Sequence, residues 1–182
     1  MSTFLIILYY ATLLGMTAFL FLMLLTVLIN IFAKVPFVPT SKRIIRHIAK
    51  LAKLKKGERV YDLGCGDGRF LIEAQKYTKV TARGFENAPI PYIWAHMRKW
   101  LSGAKMNVSM KNFFHQNLSD ADVIYCYLGP DVMTQLGKKF RKECRKGTRI
   151  YSNTFSIHGF TPTKVWEKDR PHHLPSVYLY TI

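Results

Sequence analysis

The first 33 residues contain no Asp, Glu, Lys, Arg or His. That absence excludes a solvent-facing helix or a disordered arm, both of which need polar side chains to meet water. From Phe4 to Ala33 the chain is almost wholly Leu, Ile, Phe, Met, Tyr, Ala, Val and Thr. A helix crossing the hydrocarbon core needs roughly 20 such residues, so one span fits with excess for tilt and two do not. A secretory leader would have a basic start, an apolar run of about 7–15 residues and a small-residue cleavage site. All three are missing, and a retained anchor is expected. A core helix is excluded because a small domain cannot cover so long an apolar segment on every face.

Acidic residues are also scarce, at 11 Asp and Glu against 27 Lys and Arg, for a formal charge of +16. All of them lie between Lys34 and Ile182. Such a surplus speaks of partners and not of fold: anionic lipid headgroups or nucleic acid. An anchor already holds the domain at a membrane, so lipid is the expected partner and nucleic acid is disfavoured. The three cysteines are odd in number and lack paired metal spacing, which excludes a disulfide framework and fits a reducing compartment. The six His are scattered, with only His172 and His173 adjacent, and no metal site is expected. The flank before the anchor is uncharged, whereas Lys34, Lys42, Arg43, Arg46 and Lys50 follow it. The positive-inside rule places the N-terminus outside and the remainder in the cytoplasm, or in the matrix if the membrane is mitochondrial.

The run Val60-Tyr61-Asp62-Leu63-Gly64-Cys65-Gly66-Asp67-Gly68-Arg69 is an apolar strand entering a glycine turn, and Phe70 to Ala74 reads as a helix. Glycines there let the backbone approach a ligand, and the helix start offers unpaired N–H groups. A second strand, Val80 to Phe85, ends in Glu86, placed as the acid that accepts ribose hydroxyls in nucleotide sites. A dinucleotide fingerprint would need glycine at position 69, where Arg69 stands, and Asp62 suits a cation better than a pyrophosphate. Cys65 reads as a small residue tolerated at a tight turn.

Proline-bounded Pro36-Phe37-Val38-Pro39-Thr40 reads as a stiff connector. Thr40 or Ser41 would cap a helix over Lys42 to Leu54, apolar on one face and basic on the other. Beyond it strands and helices alternate: Arg59–Leu63, Phe70–Lys76, Val80–Phe85, Pro91–Ser102, Asn107–Met110, Asp122–Leu128, Asp131–Arg145 and Thr148–Phe155. Alternation predicts a parallel sheet with helices on both faces. Two closing strands are expected within Lys164–Glu167 and Ser176–Ile182. Three units follow: a transmembrane anchor at 1–33, a connector with a basic amphipathic helix at 34–58, and the main domain at 59–182.

The Asp62 to Gly68 pattern, D-x-G-x-G-x-G, resembles the class I S-adenosylmethionine (SAM) methyltransferases. That likeness implies a Rossmann-like sheet with SAM as cofactor. It places Asp62 near the methionine moiety, Gly64, Gly66 and Gly68 beside the cofactor, and Glu86 on the ribose. Asn112 and Phe113 would meet the adenine, although Asn112 equally suits an ordinary Asx turn. Tyr127 and Asp131 fall where the methyl group is transferred, although Asp131 equally suits a helix start. The N-P-P-Y-type tetrad of enzymes acting on bases or glutamine is missing.

The anchor, the connector and Asp62 to Arg69 together resemble a narrower family. These are the membrane-anchored protein-lysine methyltransferases of the ATP synthase c-subunit type, with their small prokaryotic relatives. The likeness spans about residues 35 to 165, and Phe155 to Thr163, with His158 and Phe160, would border the acceptor. It implies methylation of an amine, a lysine of a membrane-associated protein. Two other readings remain open: a lipid or small-molecule acceptor, and a non-enzymatic basic module binding membranes or nucleic acid. Oligomeric state is not legible.

Overall fold

The structure, a computed structural model, describes residues 3–33 and 39–182. Lys34 and the Pro36-Phe37-Val38 part of the expected connector lie outside the described residues. Helix α1 (Thr3–Ala33) runs for 31 residues, about 46 Å at 1.5 Å per residue. Its Thr3–Ile29 stretch, mean hydropathy 2.4, is long and apolar enough to cross a membrane. Helix α2 (Lys42–Leu51) starts where Ser41 Oγ accepts the Ile44 N–H at 3.3 Å. It stops three residues before the expected Leu54. Ala52 and Lys53 still bond back to Ile48 and Lys50, but Lys53 turns left-handed at φ 43° and breaks the ladder.

The main sheet contains β1 (Arg59–Leu63), β2 (Thr81–Glu86), β3 (Met106–Met110), β4 (Val123–Cys126), β5 (Arg149–Asn153), β6 (Lys164–Trp166) and β7 (Val177–Thr181). Their spatial order is β3-β2-β1-β4-β5-β7-β6, with β7 antiparallel to both neighbours and β1 to β5 mutually parallel. Helices α3 (Arg69–Tyr77), α4 (Pro89–Ser102) and α5 (Pro130–Glu143) make the crossovers, as the alternation predicts. Between β3 and β4 the crossover is a single 3-10 turn, Phe113–His115, because Asn112 caps it and Asn117-Leu118-Ser119 turns the chain back.

Alternate residues of each strand enter opposite layers. Val60 and Tyr125 pack beneath α2, α3 and α4, against Ile45, Ile48, Phe70, Leu71 and Ala95. Tyr61, Leu63 and Ile124 pack beneath α5, against Val132, Met133, Leu136 and Phe140. Each fully buried side chain of that size contributes roughly 1.5–3 kcal/mol. The chain order reverses between β1 and β4, so a crevice opens at their carboxyl ends, where open α/β sheets hold ligands. Asp62, Glu86, Asn112 and Tyr127 all lie at or just beyond the carboxyl ends of their strands.

Candidate functional site

The turn leaving β1 is shaped by its glycines and held from below. Gly64 and Gly68 both have φ +74°, a conformation a side chain strains to adopt. An added Cβ would also stand 2.9 Å from Leu128 Cδ2 at Gly64, and 2.7 Å from Met106 Cε at Gly68. The N–H groups of Gly64 and Cys65 both donate to the Phe85 carbonyl, at 2.9 and 3.0 Å. Glu86, the next residue, accepts from Gly66 N–H with Oε2 and from Asn87 and Ala88 N–H with Oε1, all at 2.8 Å. One carboxylate thus joins the turn to the β2 terminus and the entry of α4. With four lone-pair sites on a carboxylate, about one stays unused by these amides.

Asp62 is fully buried at the end of β1, 2% exposed. Burial pushes its carboxyl well above the usual carboxylate range, and the charges of Glu86 and Asp67 add to the effect. Glu86 is likewise raised, chiefly by burial, against the pull of its three amides. Cys65, under the same turn, is raised by burial and by Asp62 and Glu86, which keeps its thiol protonated and inert. Burial and the neighbouring carboxylates thus disfavour a charged Asp62. A cationic ligand relieves that penalty; a pyrophosphate would aggravate it.

Asp67 has the opposite solution. Its Oδ1 accepts from Arg69 Nε at 2.8 Å, while Oδ2 accepts from Arg69 Nη2 at 2.6 Å and pairs with Arg98 Nε at 2.9 Å. Arg69 Nη1 also donates to the Thr40 carbonyl. This clamp ties the turn to α4 and to the segment before α2. Sequence spacing does not disclose it, because its members come from three distant positions.

Asn112 is exposed, and its Oδ1 accepts the Phe114 N–H at 2.9 Å, an Asx turn. Phe113 is buried at 7% in the layer beneath α5, and the half-buried Phe114 ring lies 4.9 Å from it. On the other side of the crevice, Tyr127 stacks on Phe155 with centroids 6.3 Å apart and planes at 15°. Thr154, beside Phe155, has φ 70°. A β-branched residue in that conformation stores about 1–3 kcal/mol of strain, of the kind that clusters at functional sites. Asp131 is exposed in the first turn of α5. Among the described residues no group of three His, Cys, Asp or Glu could hold a metal ion.

Known proteins share this geometry. The model of the ANTKMT methyltransferase domain matches residues 62–164, from the Asp62 turn to the start of β6. The protein-lysine N-methyltransferase of Saccharolobus islandicus (strain REY15A) is 36% identical over 151 residues, covering 81% of this chain and 94% of that protein. The ATP synthase c-subunit lysine N-methyltransferase of Homo sapiens is 31% identical over 134 residues, covering 71% of this chain; this chain spans 56% of that relative's length. Among solved structures, an RNA methyltransferase from Salinibacter ruber in complex with S-adenosyl-L-homocysteine superposes with a TM-score of 0.74 at 26% identity, covering 80% of this chain and 94% of that one. With its glycine turn, crevice and most of its sheet inside the matched segment, the chain belongs to the ANTKMT methyltransferase domain family and is a methyltransferase.

Proposed function

We propose that this chain transfers a methyl group from SAM to a lysine side chain of a protein lying at a membrane, with α1 as the anchor. One observation carries the cofactor assignment: Asp62 is buried beside a positive-φ glycine turn, and burial together with the charges of Glu86 and Asp67 raises its carboxyl. When bound, SAM supplies an electrophilic methyl group on a cationic sulfonium, together with an ammonium. Asp62 would answer that positive charge, and Glu86 would offer its remaining lone pair to a ribose hydroxyl. Gly64, Gly66 and Gly68 would leave room for the cofactor, the lone pair of Asn112 Oδ1 not taken by Phe114 N–H would accept from the adenine amino group, and Phe113 would border the ring.

The acceptor side follows from what a lysine needs. An ammonium has no lone pair, so the proton must leave before transfer, and a dry aromatic passage lowers the amine pKa. Tyr127 and Phe155 form such a passage, and Asp131 at the helix start draws the incoming ammonium toward it. Relatives over 30% identical are named as lysine methyltransferases, which supports lysine over other amines. The membrane assignment rests on α1: residues 1–33 act as anchor, 34–58 as connector and basic helix, and 59–182 as the catalytic unit. The Lys- and Arg-rich side faces the cytoplasm or the matrix.

The intact chain in nanodiscs, given methyl-labelled SAM and a membrane fraction, is expected to place label on lysines of membrane proteins, located by peptide mass spectrometry. Label confined to lipid or to RNA would overturn the acceptor assignment. Phe155→Ala is expected to raise the KM for the acceptor about fivefold, the worth of one aromatic pair, while the SAM Kd by calorimetry stays unchanged. Equal losses in both would move Phe155 to the cofactor side.

A further inference from the structure

Helix α4 presents a broad apolar face at the surface. Ile93, Trp94, Met97, Trp100 and Leu101 are all exposed, Trp100 at 82% and Leu101 at 72%. At 100° per residue these five fall within an arc of about 120°, one face of the helix. A contiguous apolar stripe of that size on a small domain marks an interaction surface.

Three observations indicate what covers it. First, the stripe begins at α1. Ile90, half-buried on the same face, donates its N–H to Thr26 Oγ1 of α1 at 3.2 Å. The half-buried residues of α1, Leu22, Leu25, Thr26 and Ile29, recur at helical spacing on that side. Second, α1 is longer than a bilayer needs: its 31 residues give about 46 Å against a hydrocarbon core of about 30 Å. The surplus, about 11 residues, matches the segment from Leu22 onward that meets α4. Third, cations rim the stripe. Arg98 lies on α4 at the edge of the stripe, and Arg69, which holds the Thr40 carbonyl, lines the groove beside it. This open groove of about 500 Å³ runs along the rim, lined by Pro39, Trp94, Met97 and Leu101 with Arg69, Arg98 and the Asp67 carboxylate that both arginines hold. Tryptophan beside guanidinium suits the boundary between acyl chains and phosphate headgroups.

We propose that α4 is a second membrane element: it lies in the interfacial layer of the same bilayer that α1 crosses, with Met97, Trp100 and Leu101 among the acyl chains and Arg98 at anionic headgroups. It thereby sets the orientation of the catalytic unit, since Arg98 also grips Asp67 in the cofactor turn. This rests on α1 being membrane-inserted, and the experiment separates the two. The intact W94F/W166F chain, retaining Trp100 as its one tryptophan, is reconstituted in phosphatidylcholine–phosphatidylglycerol nanodiscs. Phospholipid brominated near the glycerol end of its chains is expected to quench Trp100 emission at least about twofold, the behaviour of an interfacial ring. A W100F/W94F chain retaining Trp166 serves as the unquenched control. Unquenched Trp100 in a chain that resists alkaline carbonate extraction would overturn the proposal and leave the anchor standing. Unquenched Trp100 that is also shielded from aqueous iodide would assign the stripe to a second copy or a protein acceptor instead. Extraction by carbonate would remove both.

Discussion

Asp62→Asn is expected to make the unliganded chain more stable and the liganded one harder to form. The two effects have opposite signs because one buried charge causes both. Asp62 has its carboxyl raised well above the ordinary value of 3.8 in the folded state, first by burial and then by Glu86 and Asp67. A carboxyl whose folded pKa lies above its unfolded one binds more protons when native. Its stability contribution is complete below about pH 4 and is lost as pH rises toward the folded pKa. At neutral pH the charge is a cost, which an amide removes; each kcal/mol recovered shifts the melting midpoint by about 2–4 °C in a chain this size. Binding changes the other way. A charge-assisted contact is worth about 1.5–3 kcal/mol, so SAM affinity should fall on the order of 100-fold. Differential scanning fluorimetry with and without SAM across pH 4 to 8 reads both, and the SAM-induced shift of the parent chain should grow as pH rises. A substitution that lowers the apo midpoint would show that Asp62 serves the fold and not a cation.

Asp67→Ala should be the most damaging single change on the same turn. It leaves two guanidiniums, of Arg69 and Arg98, facing each other across the space their shared carboxylate filled, and frees the Arg69 link to Thr40. Breaking a buried pair by deleting one partner costs about 3–5 kcal/mol; the partial exposure of both arginines puts the expected loss near the lower bound. Arg98→Ala should cost only about 1 kcal/mol, since Arg69 still holds Asp67 with two hydrogen bonds. Urea unfolding of the intact chain checks the contrast, and the double variant should cost no more than Asp67→Ala alone. Equal effects of the two single changes would mean that the clamp is not shared.

What was legible in the sequence was local. β1 is found at the expected Arg59–Leu63 because a glycine turn bounds its far end and Gly57-Glu58 its near one. α4 starts two residues earlier than expected, at Pro89, since proline fits the first helical turn as well as Pro91 does. The turn itself and Glu86 could be read because their spacing is carried by consecutive residues. The Asp67–Arg98 pair could not: 31 positions separate its members, and charge composition says nothing of which arginine meets which acid. Tyr127 and Phe155 meet only after α5 and β5 are placed. The sequence shows Trp94, Met97 and Trp100 as an apolar period on a helix, the usual sign of a core. Only the packed structure reveals that Ala95 and Pro91 face inward while those three face out.

The bond from Arg69 to the Thr40 carbonyl also sets a working radius. Seven peptide steps separate Ala33, the last residue of α1, from Thr40, and fully stretched they reach roughly 25 Å. With α1 in a bilayer, the catalytic unit is leashed like a tool to a bench, unable to patrol the surrounding solution. Targets would be screened by altitude before they are screened by sequence: only an amine presented within a thin shell above the lipid could be reached, whatever residues flank it.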